Sequence, residues 1–111
     1  MAFVEAATSG EAPRAVGETL QSWLGDGVVL CAAANALRPG SIKKINRGSK
    51  LAFKQLENLS AFTRFCRQTA GLATADIFDP LDLYHGRDNT AVVICLLALK
   101  RAVVAAGQGG L

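Results

Sequence analysis

Between Thr19 and Pro39 the chain carries TLQSWLGDGVVLCAAANALRP, and no other stretch narrows the fold as far. Apolar residues recur at Leu20, Leu24, Val28, Cys31, Ala34 and Leu37, in steps of four, four, three, three and three. That spacing lays them along one face of a helix turned toward a core. Ala32, Ala33, Ala34 and Ala36 favour helix, and their small side chains let a neighbouring helix come close. Inside the run stand Gly25 and Gly27, each about 1 kcal/mol worse than alanine in a helix interior. They mark either a bend or a point where another backbone approaches. The expected hub is therefore one buried helix, starting near Val16 to Glu18 and ending at Arg38, where Pro39-Gly40 stops it.

The remaining elements follow the same period. A second long helix is expected from Leu51 to Ala70, with Phe53, Leu56, Leu59, Phe62 and Cys66 inward and Gly71 as a left-handed C-cap. Asn58 lies close to this stripe; if buried, its amide must hydrogen-bond to the backbone of a neighbouring loop. Ser41 to Lys50 is too polar for a helix and is expected to be an ordered surface loop with Ile42 and Ile45 plugged inward. A single turn begins at Thr74, a capping residue, and Asp79 to Gly86 is a compact connector with proline at its start and glycine at its end. Asp88 caps a last helix whose Val92, Leu96, Leu99 and Val103 form the inner stripe. Val93 and Leu97 widen that stripe enough to expect the helix to be largely surrounded.

At the amino end, Phe3 to Ala7 can form a helix of two turns, short enough to suggest that further sequence precedes it. Glu11 to Arg14 is a linker. With no strand-like alternation and 111 residues for a single core, the expectation is one all-α domain over residues 1–106. Residues 107–111, rich in glycine, are expected to be a flexible tail or the start of a linker.

Chemistry finds little to work with. The one histidine, His85, sits in a turn beside Gly86, and Cys31, Cys66 and Cys95 lie far apart inside apolar runs. The cysteines are expected to be buried small hydrophobes in a reducing, cytoplasmic setting. Paired cysteine spacings for zinc, P-loops, dinucleotide fingerprints and EF-hand loops are all missing from the sequence. Asp79 and Asp82 are better explained by capping than as a catalytic pair. No catalytic residue, cofactor or metal site is expected, and no apolar run is long enough to span a membrane.

Charge is where the sequence speaks of partners. Residues 38–67 hold Arg38, Lys43, Lys44, Arg47, Lys50, Lys54, Arg64 and Arg67 against Glu57 alone, whereas the flanking thirds are net acidic. Lys43, Lys44, Arg47, Lys50 and Lys54 form the candidate contact segment. It is either a solvated face or a surface for an acidic partner such as a filament or an anionic headgroup. Nucleic acid is not expected, because no aromatics interleave with the charges.

Leu24-Gly25-Asp26-Gly27-Val28-Val29-Leu30-Cys31, followed by Asn35-Ala36-Leu37-Arg38-Pro39-Gly40-Ser41-Ile42-Lys43-Lys44-Ile45-Asn46, resembles the calponin-homology domain. Phe53 to Phe62 and Asp76 to Asp88, running into Ala91-Val92-Val93, resemble its later signature helices in the same order. The likeness is to the single-domain type of calponin and transgelin. It implies a compact bundle of about four main helices plus short connecting ones, with the hub helix and the last helix at its centre. Trp23, Leu24, Gly27, Asn58, Phe62 and Asp82 would be its structural signature. It also implies a non-catalytic, monomeric module of the cytoskeleton, bound weakly to actin filaments or to an actin-associated protein. The alternatives are a signalling or scaffold adaptor that docks a regulatory protein, and a microtubule-associated module. Gly27, on this view, is where another backbone comes close.

Overall fold

Two helices, not one, occupy the expected hub. The computed structural model describes residues 19–108, in which α1 spans Leu20–Leu24 and α2 spans Val28–Leu37. The continuous helix expected up to Arg38 is thus corrected, and its first residues, like Phe3 to Arg14, lie outside the described ones. The break has a local and a distant cause. Gly27 adopts φ +79°, the left-handed region that costs an L side chain about 1–2 kcal/mol. A Cβ placed there would stand 2.5 Å from the Asn58 Cβ and 2.9 Å from the Leu59 nitrogen. The Asp26 carboxylate then restarts the chain as helix, accepting from the Val28 N–H at 3.0 Å.

Three more helices follow: α3 at Ala52–Gln68, α4 at Pro80–Tyr84 and α5 at Asn89–Gln108, with a 3-10 turn at Thr74–Asp76. No strand occurs among the described residues. Leu59, Phe62, Phe65 and Cys66 bury the inner face of α3. Phe53, expected inward, is 64% exposed, because it lies in the first turn, before the helix reaches the core. Gly71 closes α3 at φ +73°, and the Leu72 N–H returns to the Cys66 carbonyl at 2.9 Å.

The α4 connector is held by a reciprocal capping box. The Asp79 carboxylate accepts from the Leu81 N–H at 2.8 Å, and that of Asp82 accepts from the Asp79 N–H at 3.1 Å. Thr74 makes no cap; Ala73 precedes its turn without a side-chain bond. Asp88 does cap α5, accepting from the Ala91 N–H at 3.0 Å.

Val92, Cys95, Leu96 and Leu99 give α5 its buried face. The expectation that α5 is largely surrounded is corrected: Ile94, Leu97 and Val104 are exposed, so the core covers one side only. The helix also runs through Gly107 to Gln108, where a tail was expected to begin; residues 109–111 lie outside the described ones.

The core joins Trp23, Leu24, Leu30, Phe62, Phe78, Leu83, Val92, Leu96 and Leu99 in one cluster. Each fully buried leucine contributes about 1.5–3 kcal/mol. The backbone of α2 comes closest to that of α3, an approach that the missing side chain at Gly27 permits.

Gly27 and Gly48 separate conformational strain from close packing. Gly48 has φ +67° but nothing within 4 Å of a Cβ. Gly48→Ala should cost about 1 kcal/mol, the left-handed penalty alone. Gly27→Ala should cost about 2–4 kcal/mol, since overpacking adds to it. Urea unfolding checks this; equal losses would mean that the approach of α3 carries no energy.

Candidate interaction site

The chain between α2 and α3 has no secondary structure, yet it is fixed at three points by side-chain bonds to backbone. Asn35 donates from Nδ2 to the Ile42 carbonyl at 3.0 Å and accepts the Ile42 N–H on Oδ1 at 2.8 Å. Asn58, 1% exposed, accepts the Asn46 N–H at 2.8 Å and donates to the carbonyls of Asn46 and Asp26, both at 2.9 Å. Gln55 donates to the Ser49 carbonyl at 2.8 Å. Ile42 is buried and Ile45 partly buried against the core, as their placement in the loop predicts.

Between these pins, Lys43, Lys44, Arg47 and Lys50 are exposed, and Lys54 is half-buried on the first turns of α3. Among the described residues the one ion pair is Arg87 with Asp82, at 3.2 Å, so none of the five cations is paired there. Lys44 and Lys54 face one counter-charge in common, Glu57. Its carboxyl is held below the usual range by the Asn46 amide, which donates to Oε1 at 3.0 Å, and further by Lys44 and Lys54.

The five cations do not share one concavity. Lys43 and Lys44 line a groove of about 370 Å³ together with Ser60, Arg64 and Gln68 of α3. Arg47, Lys50 and Lys54 lie outside it. Arg64 belongs to the basic third of the sequence, but nothing in its local pattern sets it apart from the other cations there, except its place one α3 face over from the apolar stripe, two turns beyond Glu57. Asn35 and Asn46 were likewise visible only as parts of a motif.

The signature residues are structural in their surroundings. Trp23, Leu24 and Phe62 are buried, and Asp82 serves both the capping box and Arg87. Cys31 is buried with its sulfur 3.2 Å from the Asn58 carbonyl, and burial pushes its thiol up to about 12. Cys66 and Cys95 bring their sulfurs to 3.9 Å inside the core, where mutual contact and burial push Cys66 up. His85 is exposed, its ring edge-on to Tyr84 at 5.0 Å. The buried, protonated Cys31 thiol and the exposed His85 ring beside Tyr84 do not make a nucleophile and base.

Two predictions follow from this geometry. Asn58→Ala strips partners from one N–H and two carbonyls and should cost about 3 kcal/mol. Amide exchange should accelerate at Asn46 while Ile42, held by Asn35, keeps its protection; unchanged exchange at Asn46 would refute the pin. For Cys31 the unfolded chain ionises a thiol that the folded chain keeps protonated. The folded state therefore binds more protons, and stability falls as pH rises from about 9 toward about 12. Urea midpoints across that range should fall less steeply in Cys31→Ala.

Over residues 1–105 the chain matches the calponin homology (CH) domain family. It is 42% identical over 78 residues to Myophilin of Echinococcus granulosus, an alignment covering 70% of this chain and 40% of that protein. It is 43% identical over 84 residues to Calponin-2 of Mus musculus, covering 76% of this chain and 27% of that protein. The chain thus spans less than half the length of these relatives. No helix among the described residues is long and apolar enough to cross a membrane. The all-helical fold, the glycine-broken hub and the match over nearly its whole length agree, and the chain belongs to the calponin homology domain family.

Proposed function

We propose that this chain is a non-catalytic, cytoplasmic interaction module of the cytoskeleton, linked to actin-based structures and binding filaments weakly by itself. Family membership supports the class. The observation that carries the mechanism is the pinned loop, which holds Lys43, Lys44, Arg47 and Lys50 outward with no ion pair among the described residues.

Such a loop meets an acidic filament surface at several points, Lys54 joining from α3. Each exposed charge pair contributes only about 0.2–1 kcal/mol, so even five of them give modest affinity. Fixing the loop in advance removes part of the ordering cost. The attraction is screened beyond about 10 Å at 0.1 M salt. The module acts as a monomer in this reading.

Cosedimentation with actin filaments tests the proposal. Pelleting should be weak at low salt and fall further as salt rises. The triple variant Lys43→Gln, Lys44→Gln, Arg47→Gln should weaken it by about tenfold. Tight pelleting that ignores both salt and the triple variant would sink the charge mechanism.

A further inference from the structure

The groove beside Lys43 does not end at its basic basin. Phe65, in the last turn of α3, and Thr69, just past its end, line it and also line a second, apolar basin of about 110 Å³. Leu37, Leu99 and Val103 form the walls of that second basin, with Arg38 at its rim. Phe65 is 6% exposed and makes the floor, whereas Thr69 stands above it in solvent. The two basins are therefore one furrow with a saddle, apolar at one end and cationic at the other.

We propose that this furrow is a docking site for a short amphipathic acidic segment of a protein partner. An apolar side chain of that segment enters the basin at Leu37 and Val103. The carboxylates that follow it cross the saddle and meet Lys43, Lys44 and Arg64. Charge complementarity argues for this occupant: Lys43, Lys44 and Arg64 line the basic basin against one carboxylate, Glu57, which leaves the basin net positive. The apolar end supplies what charge alone lacks, a hydrophobic anchor inside a pocket. A bilayer surface fits poorly, because the apolar groups are recessed and cannot insert. Single-stranded nucleic acid fits poorly as well, since Phe65 lies in the floor with its face unavailable for stacking.

This site overlaps the proposed filament contact in part. Arg64 and the apolar basin have no part in that contact, and only Lys43 and Lys44 are common to both.

The probe is a fluorescein-labelled synthetic peptide with two leucines followed by a run of glutamates, titrated by anisotropy. Arg64→Glu and Ala102→Phe, the latter filling the apolar basin, should each weaken binding by about tenfold or more. Lys100→Glu makes the same charge change on α5 outside the furrow and should alter binding by about twofold at most. A peptide with serines in place of the leucines should bind about tenfold more weakly. Circular dichroism verifies that each variant is folded; Arg64, being exposed, keeps the test valid should Ala102→Phe unfold. The proposal is overturned by equal binding of the serine peptide, by indifference to Arg64→Glu, or by a preference for phosphatidylserine vesicles over the peptide. Filament pelleting without peptide binding would overturn this inference and leave the filament reading intact, and the reverse result would do the opposite.

Discussion

The amide of Asn58 is the joint on which the described structure turns. A buried primary amide is costly unless its donors and acceptor are used, and here their three bonds serve two separate pieces of chain. It takes the Asp26 carbonyl left over where the hub breaks, and it closes both the N–H and the carbonyl of Asn46 in the loop. It does so from a position on α3 whose neighbours Leu59 and Phe62 are fully buried. The amide can reach Asp26 only because Gly27 has no side chain to hold α3 away. The glycine and the asparagine therefore form one device. The Cys31 sulfur, 3.2 Å from the Asn58 carbonyl, packs the same joint from the α2 side.

This arrangement ties fold to surface chemistry. A segment carrying four cations within eight residues, Lys43 to Lys50, repels itself, and as a free coil it would extend. Water and salt reduce that repulsion to a small term per pair, since two unit charges at 4 Å in bulk water interact by only about 1 kcal/mol. The bonds from Asn35, Asn58 and Gln55 outweigh it, and Ile42 adds apolar burial. An acidic partner thus finds the charges already gathered and loses less entropy in meeting them.

Features governed by neighbours in sequence were legible in advance. Gly71 as a left-handed cap, Asp88 as an N-cap and the loop with its two inward isoleucines all depend on a few adjacent residues, and they occur where the pattern puts them. For Asn58 the stripe leaves burial open and says only that a buried amide must bond to the backbone of a neighbouring loop, as it does at Asn46. What escaped depends on partners far along the chain. Whether Gly25-Asp26-Gly27 bends a helix or ends it is decided by Asn58, over thirty residues away. Periodicity says which side of α3 or α5 is apolar, but not where each helix passes the edge of the core. Phe53, Ile94 and Leu97 are exposed for that reason. Arg64 escaped because a groove is built from two segments, and a charge count within one cannot show it.

Lys43 and Lys44 belong both to the loop's outward face and to the furrow, and this sharing has a thermodynamic consequence. A ligand that neutralises these two side chains in the furrow removes them from any acidic filament surface. The two occupancies are then coupled with unfavourable sign, and the coupling is reciprocal: a filament that engages the lysines weakens the furrow by the same factor. Its size is set by the two shared charges and is limited by screening, whereas Arg47, Lys50 and Lys54 remain free for one partner, and Arg64 with the apolar basin for the other. The same short pinned segment can therefore link two partners energetically without any change in the fold, because its geometry is already set by Asn35 and Asn58.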